Sequence, residues 1–385
     1  MIYPAVEEIL NWEQYRQDTT VELIASENFA SQAVMDLCGS VFTNKYAEGY
    51  PGKRYYNGCA HMDKIEDLAI DNVKKLYNCN FANVQPHSGV NANTAVYQAL
   101  MNPGDTIMGM DLASGGHLSH GAPPTLSGKV YKSVSYGVGE DGLLDYDEIE
   151  KIAVLTKPQV IVAGASAYPR IIDWKKFRDI AFTVRAKLVC DMAHYSGLVA
   201  GGVYPSPLPY ADVVTSTTHK TLRGPRGGMI LWNDERYTKK INSAIFPGTQ
   251  GGPLMNIIAA KAQCYLEAQE DSFKQYVMDV VDNAKEMAKT FEENGLPVLT
   301  GGTDSHIILI DLSKSKYSGR EAADLLEKRN ITVNKNGVPN DPRSFIETSG
   351  IRIGTAAETT KGHKKDWFAD LAKKIIIILA ILIIY

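Results

Sequence analysis

His219 and Lys220 stand side by side within residues 213–229, VVTSTTHKTLRGPRGGM. Val213 and Val214 read as a short buried strand, Thr215, Ser216, Thr217 and Thr218 follow as a hydroxyl cluster, and Gly224, Pro225, Gly227 and Gly228 close the stretch in a sharp turn suited to close approach of a ligand. A lysine delivered into such a loop is a candidate nucleophile toward a carbonyl. Burial beside other cations, for which Arg223 and Arg226 are at hand, disfavours the ammonium and frees the amine. Taken alone the segment also reads as a basic surface loop, because most lysines are solvated.

The elements that would position Lys220 decide between these readings. Apolar strand candidates at 106–110, 130–135, 160–163 and 188–190 are separated by helical or loop stretches, an alternation that implies an α/β fold with a largely parallel sheet covered by helices on both faces. Ligands collect at the carboxyl ends of such strands. The residues just beyond them here are Gly115, Gly116, His117 and His120, then Ser166, then Asp191 and His194, then His219 and Lys220. Imidazoles, a carboxylate, hydroxyls and one lysine therefore converge, which favours chemistry at Lys220. His117 and His120 could ligate a metal, but no cysteine or glutamate completes a zinc pattern. Asp191 and His194 could serve a serine nucleophile, yet G-x-S-x-G is absent, as are G-x-G-x-x-G and the Walker pattern.

Four further stretches carry chemistry. Residues 81–86 read as a strand running into His87, Ser88 and Gly89 and then a helix, the layout that points free N–H groups at an anion. VELIASEN, 21–28, delivers Ser26, Glu27 and Asn28 together and is expected to cap a helix. TNKYAEGYPGKRYYNG, 43–58, is too glycine-rich for a helix and too polar for a core strand, so a structured loop bearing Tyr46, Glu48 and Tyr56 is expected. Arg352, in TSGIRIG, sits well for a bidentate grip on a carboxylate.

The composition allows all this. The 385 residues suffice for two domains, and a net charge of -4 provides no basic field for nucleic acid, so small-molecule chemistry is expected. Five isolated cysteines argue for a reducing, cytoplasmic setting rather than a disulfide framework, and the N-terminus lacks the pattern of an export signal. The run IIIILAILIIY, 375–385, is short of the ~20 apolar residues that span a bilayer; a buried or interface-covered element is expected, with a membrane-associated tail as the alternative.

A lysine aldehyde trap, an aspartate one strand away, a phosphate-type turn and a carboxylate clamp together describe a site for pyridoxal phosphate and an amino acid. The stretches ELIASEN, TNKYAEGYPGKRYY, NVQPHSG, GGHLSHG, SAYPRIIDWKKFR, DMAH, TTHKTLRGPRGG, QGGPL, GGTDSH, ITVNKN and TSGIRIGT closely resemble the serine hydroxymethyltransferase family, across about 21–360. The resemblance implies a fold type I pyridoxal-phosphate-dependent transferase with a mostly parallel seven-stranded sheet and a smaller C-terminal α+β domain. It divides the chain into an arm (1–20), a large domain (21–252), a linking helical segment (253–294) and a small domain with the apolar tail (295–385). It further implies that Lys220 attaches the cofactor, that Asp191 pairs with its pyridine nitrogen and that His117 stacks on its ring. Ser166, His194 and His219 would contact cofactor or substrate, while Ser88, Gly89 and a neighbouring subunit's Gly252 would hold the phosphate. Arg352 and Ser26 would take the substrate carboxylate. Glu48 and Tyr46 would move protons and Tyr56 would line the site, all three reaching it across a homodimer interface. Leu112, Gly115, Gly116, Leu118 and Asn336 match positions for tetrahydrofolate, the co-substrate to which the serine hydroxymethyl carbon would pass, leaving glycine.

Several residues depart from the family pattern: Val90 and Asn91 in the phosphate turn, Ser114, Tyr195 and Ser196 after DMAH, a missing proline before Phe345, Glu347, and Ala356. Glu347 is expected to place an anion near the folate and carboxylate positions. Two other readings stay open at this point: a folate-independent aldolase of β-hydroxy amino acids, and a weakened pyridoxal-phosphate-binding protein.

Overall fold

The computed structural model describes residues 2–384. Seven strands form the main sheet: β1 (Phe81–Asn83), β2 (Thr106–Met110), β3 (Lys132–Tyr136), β4 (Val160–Ala163), β5 (Lys187–Asp191), β6 (Val213–Thr217) and β7 (Gly228–Trp232). Their spatial order is β1-β7-β6-β5-β4-β2-β3, parallel throughout except that β7 runs antiparallel to both β1 and β6. Strands buried on both faces need apolar side chains on both, which is why 160–163 and 213–214 show continuous rather than alternating apolar character. Val162, Val189, Val213 and Ile230 point into one core layer, and Leu188, Cys190, Val214, Met229 and Leu231 into the other.

On the first face lies α3 (Gly89–Leu100), after α1 (Pro4–Thr19) and α2 (Ala60–Tyr77) in the chain. On the second, α2 packs with α4 (Met255–Glu267). The helical pattern over 257–291 is two helices rather than one: α5 (Asp271–Glu293) starts anew after a break at 268–270. The two stripes have different partners. Phe273, Tyr276, Val277 and Val280 of α5 join the main core, whereas Ala284, Met287, Ala288 and Phe291 join a second one.

That second core lies beneath a three-stranded antiparallel sheet of β8 (Ile307–Asp311), β9 (Asn334–Asn336) and β10 (Gly350–Gly354), with β10 central. Ile331–Thr332, just before β9, pairs with Val21–Glu22 rather than joining this sheet. Helices α6 (Gly319–Glu327) and α7 (Lys365–Ile384) complete it. The apolar run is thus helical, and Ile375, Ile378 and Leu379 are core residues with Phe368 and Leu371. Among the described residues no helix is long and apolar enough to cross a membrane.

Candidate active site

A cavity of about 420 Å³ opens at the carboxyl ends of β4, β5 and β6, bounded by the start of α3 and by β10. Lys220 lies inside it, three residues past β6. Burial lowers its pKa to about 8; Asp191 works in the opposite direction, and Arg352 and Arg226 lower it further. The expected contribution of Arg223 is corrected: its guanidinium turns away and stacks 4.3 Å from the Tyr276 ring. Asn28 donates to the Lys220 carbonyl at 2.9 Å and to the Tyr276 hydroxyl at 2.8 Å, so the polar triplet at 26–28 braces the lysine loop instead of capping a helix. Ser31 provides that cap.

Asp191 ends β5, in register with Thr215. Burial raises its pKa, but hydrogen bonds and nearby imidazoles outweigh that and hold the carboxyl below the usual range. His120 Nε2 and Asn93 Nδ2 both lie 2.9 Å from Oδ2, and the Ala193 N–H donates to Oδ1 at 3.0 Å. Asn93 in turn accepts from Thr215 Oγ1 at 2.6 Å. His120 is therefore committed to the carboxylate. Asn93 was not legible as a site residue, although a polar side chain on the buried face of an alanine-rich helix is a signal that could have marked it.

Burial, reinforced by His120, lowers His117 to about 4, and its Nδ1 accepts the Ser119 N–H at 3.1 Å, so the neutral ring carries its proton on Nε2. Burial lowers His219 to about 3 and pushes His194 well down. His194 lies against buried His306, with ring centroids 5.6 Å apart and His306 Nε2 3.1 Å from the Ala25 carbonyl. His306 is a second residue that the sequence left unmarked.

Ser88 caps α3, its Oγ accepting the Asn91 N–H at 3.2 Å and donating to Asn91 Oδ1 at 2.8 Å. A side chain on Gly89 would put a Cβ 2.7 Å from Thr217 Cγ2. On the opposite wall, Arg352 of β10 donates to the Ser166 carbonyl at 2.6 Å and, through Nε, to Asn334 Oδ1 at 2.9 Å. Burial lowers it only to about 10, leaving it cationic at neutral pH.

Tyr46, Glu48, Tyr56 and Gly252 do not line this cavity. They group elsewhere: Tyr46 and Tyr56 meet edge to face at 5.3 Å, a Cβ built on Gly252 would lie 3.1 Å from the Tyr46 ring, and one on Gly251 would lie 3.4 Å from Glu48 Oε1. Leu112 and Asn336 border separate cavities beside the first, and Leu118 is half exposed. Gly115 and Gly116 are buried for backbone reasons: Gly115 has φ +102°, its carbonyl accepts from the Ser166 and Ala167 N–H groups, and a Cβ on Gly116 would meet the Met110 carbonyl at 2.0 Å.

Val90 lines the cavity, whereas three other departures find homes outside it. Tyr195 donates to the Tyr168 carbonyl at 2.9 Å and stacks on Tyr204 at 4.5 Å, and Ser196 is buried beneath it. Glu347 accepts from Ser318 Oγ at 3.1 Å and pairs with Arg320 at 3.4 Å at the start of α6.

The residues fit pyridoxal phosphate on the structure's own terms. Thr217 Oγ1 and His219 Nδ1 are buried without partners among the described residues, beside an N–H-lined turn into which a Cβ at position 89 would intrude. A buried lysine, an ionised aspartate and a buried arginine share the same space. The fold and site thus define a fold type I pyridoxal-phosphate-dependent enzyme. A family model described as serine hydroxymethyltransferase matches residues 2–375. The serine hydroxymethyltransferase of Psychrobacter sp. (strain PRwf-1) is 58% identical over 361 residues, covering 94% of this chain and 86% of that one. Those of Rickettsia akari (strain Hartford) and Wolbachia sp. subsp. Drosophila simulans (strain wRi) are 57% and 58% identical over 367 and 372 residues, covering 95% and 96% of this chain and 87% of each relative. The chain belongs to the serine hydroxymethyltransferase family. Its reaction is the reversible transfer of the serine hydroxymethyl carbon to tetrahydrofolate, giving glycine and methylenetetrahydrofolate, with pyridoxal phosphate as cofactor. No observation favours the aldolase or the weakened binding protein.

Proposed function

We propose a division of labour for this reaction that is carried above all by the meeting of Lys220, Asp191 and Arg352 in one cavity. When bound, pyridoxal phosphate supplies an electron-withdrawing ring that accepts the electron pair released at the substrate α-carbon. Lys220 would hold the cofactor covalently, and its lowered pKa makes the free amine accessible near neutrality. Asp191, fixed by His120 and Asn93, keeps the pyridine nitrogen protonated. His117, neutral and oriented by Ser119, would lie against the ring, while His194, His219 and Ser166 would contact cofactor or substrate.

Ser88 and Gly89 hold the phosphate with N–H groups of α3, and Thr217 Oγ1 gains a partner there. Arg352, with Ser26, binds the serine carboxylate, and its two existing bonds set the direction of the guanidinium. Leu112, Gly115, Gly116, Leu118 and Asn336 form the folate side of the site, the two glycines as scaffold.

Tyr46, Glu48, Tyr56 and Gly252 complete the cavity of a second copy in a homodimer, Glu48 and Tyr46 moving protons at the serine hydroxyl and folate. Their absence from their own chain's cavity supports this, as does α1, which has no buried residue yet exposes Val6, Ile9, Leu10 and Trp12. The two apolar cores support a large and a small domain centred within 21–252 and 295–385, with the 1–20 arm outside both, although Leu23 joins the small core and 253–294 is divided between the two. The setting we infer is cytoplasmic. Replacing Lys220 by alanine should abolish the visible absorbance of the covalently held cofactor together with folate-dependent serine cleavage; a variant that kept both would remove Lys220 from its role.

A further inference from the structure

Lys261, on α4, is fully buried and touches no carboxylate. Its Nζ donates to three backbone carbonyls, those of Val84 at 2.6 Å, Pro86 at 3.0 Å and Gly228 at 2.8 Å. Three ammonium protons thus meet three acceptors. A second side chain from the same part of the chain works beside it: Gln250 donates to the Gln85 carbonyl at 2.9 Å and accepts the His87 N–H at 2.9 Å. The Pro86 carbonyl also takes the Gly228 N–H at 3.0 Å. Every carbonyl from 84 to 86 is therefore held by Lys261 or Gln250, and neither residue lines the cavity.

Two residues further along the chain come Ser88 and Gly89, which do line it. With the preceding carbonyls drawn to the rear, the N–H groups at the start of α3 face the cavity without competing oxygens. The fit is close on the far side as well, since a Cβ on Gly227 would lie 2.5 Å from Lys261 Cε and one on Gly228 would lie 2.3 Å from the Ser88 carbonyl. Burying an ammonium that no carboxylate contacts directly is costly even with Glu66 nearby, and an apolar side chain of equal length would fill the same space without that cost. A methionine cannot, however, pull three carbonyls to one point.

We propose that Lys261 is a positioning residue that ties the segment following β1 to β7 and turns the backbone of 84–86 so that the N–H groups at the start of α3, not these carbonyls, meet the cofactor phosphate. The proposal rests on the reading of Ser88 and Gly89 as the phosphate seat.

The test compares the dissociation constants of pyridoxal 5'-phosphate and of phosphate-free pyridoxal for the full-length apoprotein, by equilibrium dialysis, in wild type, Lys261→Met and Ser88→Ala. Lys261→Met is expected to weaken pyridoxal 5'-phosphate about tenfold or more, the loss of roughly one charge-assisted contact, and to change pyridoxal less than about twofold. Equal weakening of both ligands, or of neither, overturns it. Ser88→Ala judges the underlying reading separately: if it does not discriminate between the two ligands, the phosphate seat lies elsewhere whatever Lys261 does. Should Lys261→Met not fold, Lys261→Ala is assayed with ethylammonium chloride against sodium chloride at equal ionic strength. Recovery of pyridoxal 5'-phosphate binding with ethylammonium alone supports the positioning role, and equal behaviour in both salts overturns it.

Discussion

At the scale of single residues, the site is governed by what burial does to charge. Lys220 and Asp191 occupy one cavity, yet they are tuned in different ways: no carboxylate contacts the Lys220 amine and desolvation dominates, whereas Asp191 has three hydrogen-bond donors. The amine, not the ammonium, attacks an aldehyde. With a pKa near 8, about a tenth of Lys220 is reactive at pH 7, so capture of pyridoxal phosphate by the apoprotein should accelerate about tenfold per pH unit below pH 8 and level off above it. A stopped-flow pH series reads this directly; a rise continuing toward pH 10 would mean an ordinary lysine. His117, lowered to about 4, stays neutral across that range and adds no inflection. Arg352 makes a different demand, because its fork geometry matters as much as its charge. Arg352→Lys keeps the cation and should raise KM for serine by about 30-fold to 100-fold, roughly 2–3 kcal/mol for a lost charged hydrogen-bond pair, while cofactor absorbance is unchanged.

At the scale of elements, the loop at 43–58 has little regular structure and, on the proposed reading, much work to do. One side chain makes four of its bonds: Arg54, itself buried, donates to Asp63 at 2.8 Å, to Glu66 at 2.6 Å and to the carbonyls of Ala47 and Gly49 at 2.9 and 3.1 Å. Those carbonyls flank Glu48. Arg54→Lys cannot span all four partners and should lower kcat at least about tenfold, with cofactor content and absorbance retained, which separates a misplaced Glu48 from a misfolded chain. The sequence showed that this stretch was a structured loop, but not its anchor. The reason is that Arg54 reads as one more polar loop residue until α2 presents Asp63 and Glu66 to it. In α7 the reverse holds: an apolar run ambiguous in sequence becomes a core helix once α5 offers a complementary stripe.

At the scale of the whole molecule, the proposed homodimer would make each chain contribute to two sites. If each chain completes the other's site, a subunit lacking Lys220 and a subunit lacking Glu48 can together rebuild one intact site. Equal amounts of Lys220→Ala and Glu48→Gln, each inactive alone, should on co-refolding recover about a quarter of wild-type activity, since random pairing makes half the dimers mixed and each mixed dimer has one complete site of two. Activity that stayed at the level of the separate variants would place Glu48 in its own chain's cavity.

The strand pattern and the polar residues at the strand ends were legible in the sequence, because a sheet buried on both faces needs unbroken apolar runs and leaves its chemistry to the residues just past them. Lys220, Asp191, His117, His194 and Arg352 are all found by that rule or by the family stretches that surround them. Tertiary structure alone decided the residues that act through others. His120 and Asn93 on Asp191, Asn28 behind Lys220, His306 behind His194 and Lys261 behind the 84–88 turn are each more than fifty residues from the group they hold. Each is an ordinary polar residue in its own segment. Its meaning arises only when folding removes water and brings its distant partners to it.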